Sequence, residues 1–550
     1  MQTQNSEHID QRVNDLIALY SGPSRATAAL LCDGHPENSL AFRIVREDFS
    51  TTEITFCELR TRSEKLAHAL YSEGFRAGDR IATLMGKSQE YLETILAIWR
   101  LGAVHVPLFT AFAGPAIEMR LTSSGTKAVF SDAVHLDKLK EIRGAGQGDN
   151  WVIVSGDKVD DGDFRFEDLM SAGQPDYAPF VGNGDTTFIE IYTSGTTGTP
   201  KGVPVPVKAL ASFRAYAEFG LNLRADDVFW NAADPGWGYG LYFGILAVLT
   251  TGVAGLLYTG KFSAEATFRI LEQEKVTNFT AAPTVYRSLR TYEGKTPSLR
   301  LRCASAAGEP LTPDVNRWAP EALGVEVHDH FGQTEAGMVV NNHHHPELHQ
   351  PIRPGSMGRP MPGWSATILD EKTLKPLGPG RPGLLAFELS KSPMAWFEGY
   401  IGAPKKTAER LTPDGKWYVT GDIAKFDEDG MYYFSSRDDD VIIMAGYRIG
   451  PFEVESVLVT HPAVVECAVI ALPDELRGQV LEAVVALADG VSPSEELTQE
   501  LQAKVKKEYA AHAYPRRIHY KSALPKTPSG KVQRFRLRQE LTEDEKGAQA

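Results

Sequence analysis

A run of small and hydroxylated residues that ends in a lysine carries the strongest chemical signal in this sequence. Residues 190–203 read Glu-Ile-Tyr-Thr-Ser-Gly-Thr-Thr-Gly-Thr-Pro-Lys-Gly-Val, and the loop positions 194–198 follow an apolar stretch, residues 188–192. Glycines leave backbone N–H groups free to face an anion, hydroxyls add donors, and Lys201 supplies a mobile positive charge. The P-loop of NTPases needs Gly-Lys-Ser/Thr at its end, whereas here Pro200 precedes Lys201. The run therefore predicts a different kind of loop that holds the phosphates of a nucleotide.

A second polar cluster follows later in the chain. Residues 328–337 read His-Asp-His-Phe-Gly-Gln-Thr-Glu-Ala-Gly. Phe331 has a ring that can stack on a purine, Thr334 a hydroxyl for a phosphate, and Glu335 a carboxylate for a Mg²⁺ ion that bridges phosphates. Alone, the segment is equally typical of a strand-to-helix loop with a capping threonine. Together with the glycine-rich loop upstream, it favours a nucleotide site.

Both segments resemble the signature motifs of the adenylate-forming enzymes, which include acyl-CoA synthetases, nonribosomal peptide adenylation domains and luciferases. Four further segments resemble that superfamily in the same order between residues 190 and 532: Ala307-Gly-Glu-Pro310, Tyr418-Val-Thr-Gly-Asp422, the stretch 436–455 and Leu524-Pro-Lys-Thr-Pro-Ser-Gly-Lys531-Val. By resemblance these lie under the adenine, bind the ribose, begin a mobile C-terminal domain and carry the catalytic lysine. The resemblance covers essentially the whole chain.

The resemblance implies a role for each matching residue. The implied ATP- and AMP-binding residues are Thr193, Ser194, Gly195, Thr196, Thr197, Gly198, Lys201, Gly308, Glu309, Pro310, Asp329, His330, Phe331, Gly332, Gln333, Thr334, Asp422, Arg437, Arg448 and Lys531. Lys531, Thr193 and Glu335 are the implied catalytic residues, Glu335 is also the implied metal ligand, and Asp439 is the implied hinge. A lysine suits this chemistry because attack of a carboxylate on the α-phosphate builds negative charge that a positioned cation stabilises.

Within the superfamily the chain is similar to the short- and medium-chain acyl-CoA synthetases. Asp234-Pro-Gly-Trp237 resembles their segment beside the acyl site, and Pro473-Asp-Glu-Leu-Arg-Gly-Gln479 and Tyr514-Pro-Arg516 resemble segments of the medium-chain group, the second of which contacts CoA there. The implied acyl-pocket residues are Trp237, Tyr239, Tyr242, Pro283, Thr284 and Gly332. The implied CoA-binding residues are Gly446, Tyr447, Arg477, Lys506, Tyr514, Pro515 and Arg516.

One position bears on the size of the acid. Acetate-activating relatives have a tryptophan before the Gln-Thr-Glu triplet, and this chain has Gly332. Loss of an indole opens space, and each buried CH₂ contributes about 0.8 kcal/mol. We therefore expect a pocket for acids larger than acetate, with fatty, branched and aromatic monocarboxylates all left open.

The function implied is ATP-dependent synthesis of acyl-CoA through an acyl-AMP intermediate, with ATP, Mg²⁺ and CoA as cofactors and a small carboxylic acid as substrate. The alternatives are a stand-alone adenylation enzyme that loads a carrier-protein thiol and an acetate- or propionate-CoA ligase. A non-catalytic nucleotide-binding paralogue is disfavoured because Thr334, Glu335, Asp422 and Lys531 are all present. The acid and the oligomeric state stay open.

Composition limits the function classes. The chain has 550 residues, 42% hydrophobic and 23% charged, with a net charge of −14. This length is typical of two to four domains or subdomains, and the negative charge disfavours nucleic-acid partners. Four scattered cysteines without a CxxC pair, and an N-terminus without a secretory signal, favour a reducing cytoplasm.

The order of helical and strand-like segments predicts the fold class. Alternating segments through residue 340 indicate layered α/β subdomains with parallel sheets, including a helix over 53–75. Pro- and Gly-rich residues from 351 onward predict a β-rich subdomain to about 436, with antiparallel strands at 365–370 and 383–389. We expect an N-terminal adenylation domain over 1–436 and a small mobile α+β domain over 437–550.

Two segments invite other interpretations. Residues 235–260 contain no charge and meet the length of a membrane span, but their glycines and the break at Thr250-Thr251-Gly252 favour a buried helix followed by a buried strand. No transmembrane segment is therefore expected. The cluster His343-His344-His345 with His349 has metal-binding residue types, but an exposed loop beyond the nucleotide site explains it more simply.

Overall fold

A computed structural model of the chain describes residues 2–144, 151–155, 163–193, 200–437, 440–444, 447–474, 478–510, 513–526 and 532–549. The strands are β1 Leu40–Val45, β2 Thr51–Thr55, β3 Arg80–Leu84, β4 Val104–Pro107, β5 Ala128–Asp132, β6 Trp151–Ser155, β7 Phe164–Arg165, β8 Thr187–Thr193, β9 Lys201–Pro206, β10 Val228–Asn231, β11 Ala254–Tyr258, β12 Asn278–Ala281, β13 Cys303–Ala307, β14 Val327–Gln333, β15 Gly337–Asn341, β16 Ser356–Pro360, β17 Ala366–Leu369, β18 Gly383–Glu388, β19 Trp417–Phe426, β20 Tyr432–Arg437, β21 Ile442–Met444, β22 Tyr447–Ile449, β23 Val464–Asp474, β24 Gly478–Leu487 and β25 Arg517–Tyr520.

Helices cover and connect these strands. They are α1 Gln2–Tyr20, α2 Phe56–Ser72, α3 Gln89–Leu101, α4 Gly114–Ser124, α5 Leu136–Gly144, α6 Phe166–Ala172, α7 Ala209–Ala215, α8 Gly238–Gly240, α9 Ala247–Thr251, α10 Ala264–Gln273, α11 Pro283–Arg290, α12 Pro313–Leu323, α13 Pro404–Ala408, α14 Pro451–Leu458, α15 Glu495–Glu508 and α16 Arg534–Gln549. Wider π-helical turns at Ala29–Asp33, Tyr216–Gly220 and Leu241–Leu246 and a 3₁₀ turn at Leu389–Lys391 complete the set.

Two large sheets position the candidate site. Within the described part of the chain, one sheet has seven strands in the order β7-β6-β5-β3-β4-β8-β9, and a second has thirteen in the order β17-β18-β19-β20-β16-β15-β14-β13-β12-β10-β11-β1-β2. The strands from β1 to β14 pair mostly in parallel, while β8–β9 and β14–β15 are antiparallel pairs. Parallel strands joined by helices confirm the predicted α/β layers. The two predicted nucleotide motifs lie on the two antiparallel pairs.

The predicted helix over 53–75 is shorter in the structure because a strand occupies its first residues. β2 pairs with β1 through Thr55, and α2 begins only at Phe56. The Thr55 hydroxyl accepts from the Glu58 N–H at 3.2 Å, and the Glu58 carboxylate accepts from the Thr55 N–H at 2.8 Å. This reciprocal cap satisfies two backbone donors that a helix start leaves unpaired, which places the helix boundary after Thr55.

The uncharged segment 235–260 is a buried helix followed by a buried strand, as predicted. Helical structure runs from Gly238 to Thr251 through α8, a π-helical turn and α9. Gly252 ends it with φ +74°, a left-handed conformation that glycine adopts at little cost, and β11 follows. The described residues contain no helix that combines the length and apolar character needed to span a membrane.

The β-rich segment after residue 351 is continuous with the second sheet. β17 pairs with β18 in antiparallel fashion, which confirms the predicted strand pair. β16 pairs with both β15 and β20, so these strands extend the same sheet that carries β14. This continuity places residues of β19 and β20 beside the β14–β15 turn.

The C-terminal segment packs around hydrophobic clusters of its own. One cluster contains Ile442, Val454, Leu481 and Leu501, and another contains Ile470 and Leu537, with all buried members after residue 441. The elements are α+β, with β23 and β24 antiparallel and β24 and β25 parallel. The domain boundary at 436/437 and the mobility of this segment stay predictions.

Candidate active site

The glycine-rich loop lies at the end of the antiparallel hairpin of β8 and β9. Thr193, the last residue of β8, pairs in register with Lys201, the first of β9. The predicted residues Ser194, Gly195, Thr196, Thr197 and Gly198 lie outside the described residues. The Lys201 ammonium lies 4.7 Å from the ring centroid of Tyr400. Burial, followed by the positive charge of Arg410, lowers the pKa of Lys201.

Glu335 lies in the turn between β14 and β15 with its side chain buried. The Tyr400 hydroxyl donates to Glu335 Oε1 at 2.6 Å, and Arg410 Nε donates to the Tyr400 hydroxyl oxygen at 3.1 Å. Since Lys201 lies over the same tyrosine ring, the predicted phosphate lysine and the predicted metal carboxylate share one neighbour. The structure thus brings these two predicted residues together.

Gln333, Asp422 and Arg437 meet where β14 approaches β19 and β20. Gln333 Nε2 donates to Asp422 Oδ2 at 2.7 Å and to the Thr420 carbonyl at 2.9 Å, while the Tyr418 hydroxyl donates to Gln333 Oε1 at 2.9 Å. Asp422 and Arg437 face each other in the β19–β20 register, with Arg437 Nε 3.5 Å from Asp422 Oδ1. The predicted ribose carboxylate therefore lies between an amide and a guanidinium.

The predicted adenine segment follows β13 and contacts the predicted acyl site. The Glu309 carboxylate accepts from the Thr284 N–H at 2.9 Å, from the Thr284 hydroxyl, and from Arg287 at 3.0 Å. Gly308 has φ +101°, and a methyl group there would lie 2.7 Å from the Trp237 indole. Only glycine permits this backbone and this close approach.

Asp329 and His330 are turned into the protein interior. Asp329 accepts from the Leu311 N–H at 3.3 Å, and burial raises the pKa of Asp329 to about 8. His330 Nδ1 bonds the Tyr216 hydroxyl at 2.8 Å, and His330 Nε2 bonds the Asn342 carbonyl at 3.0 Å. These contacts hold β14 against its neighbours, so the structure does not place these two side chains among the predicted nucleotide-binding groups. Phe331 and Thr334, in contrast, are half-buried.

The aromatic residues predicted to line the acyl pocket are largely packed against other rings. Tyr242 is fully buried, stacks on Phe213 at 4.3 Å and donates from its hydroxyl to the Thr334 carbonyl at 3.3 Å. Tyr239 is also buried and lies 5.7 Å from Trp237 between ring centroids. Both tyrosines therefore support the wall behind Thr334 and Trp237. Pro283 is buried at the start of α11.

The backbone around Gly332 is crowded, while the larger acyl pocket expected at this position stays a prediction. A methyl group at position 332 would lie 2.3 Å from the Gly337 carbonyl oxygen and 2.7 Å from Met338 Sδ. The crowding arises because the β14–β15 pairing shifts register between Phe331 and Gly332. A larger side chain at this position requires the hairpin backbone to move.

The predicted CoA residues that the structure describes form a compact cationic group. Lys506 Nζ and Arg516 Cζ each lie 3.9 Å from the ring centroid of Tyr514. The Pro515 carbonyl accepts from Gln502 Nε2 at 3.0 Å, which fixes the segment to α15. Two cations around one aromatic ring create a local positive site on an otherwise acidic chain.

For several other predicted residues, the structure does not describe the side chain. Arg448 and Tyr447 lie on β22, where only their backbone is described. Lys531, Asp439, Gly446 and Arg477 lie outside the described residues. Their roles stay predictions.

The histidine-rich segment is not the exposed loop that was expected. His343 is buried, and His344 stacks on His328 with ring centroids 3.5 Å apart and planes 16° apart. Nitrogen atoms of His328, His330 and His344 lie within 4.8 Å of one another. However, a metal binds in the plane of an imidazole ring, and two rings stacked face to face cannot both point at one ion. His328 Nδ1 and His330 Nε2 already bond the Asn342 carbonyl, so the cluster holds β14 to the chain after β15.

Tyr400 and Arg410 are site residues that the sequence patterns missed. Tyr400 ends the aromatic segment Trp396-Phe-Glu-Gly-Tyr and precedes α13, whereas Arg410 follows that helix. Neither belongs to a recognised polar motif. Tyr400 meets Glu335 across 65 positions, and Arg410 is linked to Glu335 through Tyr400. The sequence signal for Tyr400 is a tyrosine that follows a glycine in an aromatic segment, and this pattern does not indicate Glu335 as its partner.

Comparisons with known proteins identify the family. Residues 32–400 match the family model "AMP-binding enzyme", and residues 453–531 match "AMP-binding enzyme C-terminal domain". The acetyl-coenzyme A synthetase of Bacillus subtilis (strain 168) is 36% identical over 494 residues, which cover 87% of this chain and 84% of that protein.

Solved structures show the same fold. The crystal structure of an acyl-CoA synthetase from Brucella canis is 42% identical, with a TM-score of 0.74 and coverage of 97% of this chain and 98% of that one. The anthranilate CoA ligase AuaEII, solved with anthranoyl-AMP, is 27% identical, with a TM-score of 0.86 and coverage of 95% and 98%. The chain therefore belongs to the AMP-binding enzyme family, among its AMP-forming acyl-CoA synthetases.

Proposed function

We propose that this protein activates a carboxylic acid larger than acetate with ATP and then transfers the acyl group to CoA. In the first half-reaction a carboxylate oxygen attacks the α-phosphorus of ATP, the bond to the bridging oxygen of the β-phosphate breaks, and pyrophosphate leaves. In the second, the sulfur of CoA attacks the acyl carbon, AMP leaves, and the thiol proton is released.

One observation carries this proposal. A continuous chain of contacts joins Lys201 through Tyr400 and Arg410 to the Thr420 carbonyl. The same carbonyl accepts from Gln333, which continues the chain to Asp422 and Arg437. Lys201 and Arg410, at one end of this chain of contacts, are cations that can bind phosphates. Asp422, at the other end, is a buried carboxylate that can accept hydrogen bonds from the two ribose hydroxyls. This spacing of charges supports a bound nucleotide along the β14–β15 turn.

The side chains present also fit a Mg²⁺ ion. Glu335 offers a hard carboxylate oxygen, the donor type that Mg²⁺ prefers. Tyr400 occupies Oε1, and among the described residues no hydrogen bond reaches Oε2. Glu335 is therefore the protein ligand in this proposal. The ion would neutralise charge on the phosphates, while Lys201 and the catalytic Lys531 bind and orient the transferring group.

The second half-reaction uses the C-terminal segment. Lys506 and Arg516 around Tyr514 form an anion-binding group suited to the phosphates of CoA. Asp439 is the proposed hinge on which this segment rotates between the half-reactions, so that Lys531 leaves the site before the thiol enters.

The proposed size of the acid rests on residue 332. Named family members act on acids as different as acetate and anthranilate, so the family alone does not select one. The glycine at 332 in place of tryptophan supports the larger class, although the crowding around Gly332 shows that its own space is filled. An acetate- or propionate-CoA ligase is the first alternative, and an enzyme that loads a carrier-protein thiol is the second.

A panel of acids separates these functions. Acetate, propionate, hexanoate, isobutyrate, benzoate and anthranilate are each incubated with ATP and Mg²⁺, and pyrophosphate release is followed with and without CoA. We expect acid-dependent pyrophosphate release, an acyl-CoA product, and a larger kcat/KM for at least one acid above propionate. Best activity on acetate supports the first alternative, and transfer to a carrier thiol without transfer to CoA supports the second.

A further inference from the structure

Tyr400 contacts both groups at the proposed phosphate end of the site. Its hydroxyl donates to Glu335 Oε1 at 2.6 Å, and its ring faces the Lys201 ammonium at 4.7 Å. Tyr400 is 5% exposed and Glu335 is 7% exposed. A hydrogen bond between two buried groups is electrostatically stronger than one at the surface, because the interior has a lower effective dielectric constant.

The direction of the hydrogen bonds is determined by Arg410. The Arg410 guanidinium has only donors, so Nε must donate to the Tyr400 oxygen, which leaves the Tyr400 proton for Glu335. The chain Arg410 to Tyr400 to Glu335 therefore presents Glu335 as a fixed carboxylate.

Arg410 is itself anchored to the proposed ribose segment. Its Nη1 donates to the Thr420 carbonyl. Gly421 has φ +74°, and a methyl group there would lie 2.5 Å from Arg410 Nη1. The backbone next to Asp422 thus has the shape needed to admit this guanidinium.

We propose that Tyr400, supported by Arg410, is a positioning residue that orients the Glu335 carboxylate for the divalent cation of the ATP complex. This inference rests on the proposed function. It predicts that removal of the Tyr400 hydroxyl weakens the cation site and leaves the acid site unchanged, because the ring that faces Lys201 is retained.

The test compares Tyr400→Phe with Tyr433→Phe. Tyr433 also donates to a carboxylate, Asp427 Oδ2 at 3.0 Å, but it lies on β20, where it pairs with Lys425 of β19. For Tyr400→Phe we expect the Mg²⁺ concentration that gives half-maximal pyrophosphate release to rise about 10-fold or more, since a hydrogen bond to a charged group is lost. The KM for the acid should stay within about 2-fold, and Tyr433→Phe should match the parent in both.

A binding measurement removes the dependence on turnover. Mn²⁺ is titrated by electron paramagnetic resonance into enzyme with a non-hydrolysable ATP analogue, and its Kd should rise by the same factor in Tyr400→Phe only. Arg410→Gln should shift it in the same direction, which keeps the test decisive if Tyr400→Phe folds poorly.

The proposal is overturned if the Mn²⁺ Kd and the Mg²⁺ half-saturation of both variants equal those of the parent. It is equally overturned if activity falls at every Mg²⁺ concentration with an unchanged Mn²⁺ Kd. If the parent enzyme binds Mn²⁺ and the ATP analogue but activates no acid, the proposed function is contradicted. The Mn²⁺ Kd values of the variants then still decide whether Tyr400 positions Glu335.

Discussion

Replacement of Asp422 by asparagine tests the nucleotide site where its geometry is best defined. The Asp422 carboxylate is 2% exposed, accepts from Gln333 Nε2 at 2.7 Å and lies 3.5 Å from Arg437 Nε. The Asp422→Asn substitution keeps the shape of the side chain and removes its charge. Because the carboxylate is buried, a change in its charge is expected to matter more than it would at the surface.

The magnitude follows from the two hydroxyl groups of a ribose. A hydrogen bond to a charged group contributes about 1.5–3 kcal/mol, whereas a neutral one contributes about 0.5–1.5 kcal/mol. Loss of the charge therefore costs about 1–1.5 kcal/mol per hydroxyl, or about 2–3 kcal/mol for both. The KM for ATP should rise about 30- to 150-fold.

The assay is acid-dependent pyrophosphate release without CoA, measured as a function of ATP and then of the acid. The KM for the acid should stay within about 2-fold of the parent. Asp427→Asn is the matched control. Asp427 directly follows β19, the strand that carries Asp422, and its carboxylate accepts a 3.0 Å hydrogen bond from the Tyr433 hydroxyl. An unchanged KM for ATP, or equal rises for ATP and acid, would refute the assignment of Asp422 to the ribose.

Four further predictions concern other parts of the molecule. Lys531→Ala should slow acyl-adenylate formation about 10²- to 10³-fold yet spare transfer from supplied acyl-AMP to CoA, and equal losses in both steps would contradict its role. Asp439→Pro should impair thioester formation more than adenylation, and equal rates in both steps would dismiss the hinge. Gly332→Ala should destabilise the fold by about 1–3 kcal/mol in urea unfolding, because its methyl group meets the Gly337 carbonyl at 2.3 Å, and parental stability would disprove this crowding. Burial lowers the pKa of His328 and His343 to about 4. As the pH falls below about 6.5, these histidines bind protons in the unfolded chain but not in the folded one, so the free energy of unfolding should decrease towards pH 4. The His343→Gln variant should show a smaller decrease.

Many candidate site residues could be predicted from the sequence because the motifs that contain them are short and local. Thr193 and Lys201 could be assigned to one loop from their spacing alone, and the hairpin β8–β9 does place them in register. The buried helix and strand over 238–258 were also predictable, since glycines and an absence of charge are properties of the segment itself.

What could not be predicted depends on contacts between distant segments. Tyr400 reaches Glu335 across 65 positions and Arg410 completes the chain, and no periodicity encodes such a meeting. The crowding around Gly332 accompanies a register shift in the β14–β15 pair, which the residue type at position 332 does not indicate. His343 looked like part of a polar loop but is buried, and its Nε2 bonds the Pro360 carbonyl of β16 at 3.3 Å.

The central claim is that this protein forms an acyl-adenylate, and ATP–pyrophosphate exchange tests it most directly. Labelled pyrophosphate is incubated with ATP, Mg²⁺ and each acid of the panel in the absence of CoA. We predict that label enters ATP only when a suitable acid is present, because the first half-reaction is reversible and needs no thiol, and that Asp422→Asn lowers this exchange at limiting ATP. Exchange with none of the acids, or acid-independent conversion of ATP to ADP and phosphate, would contradict the account.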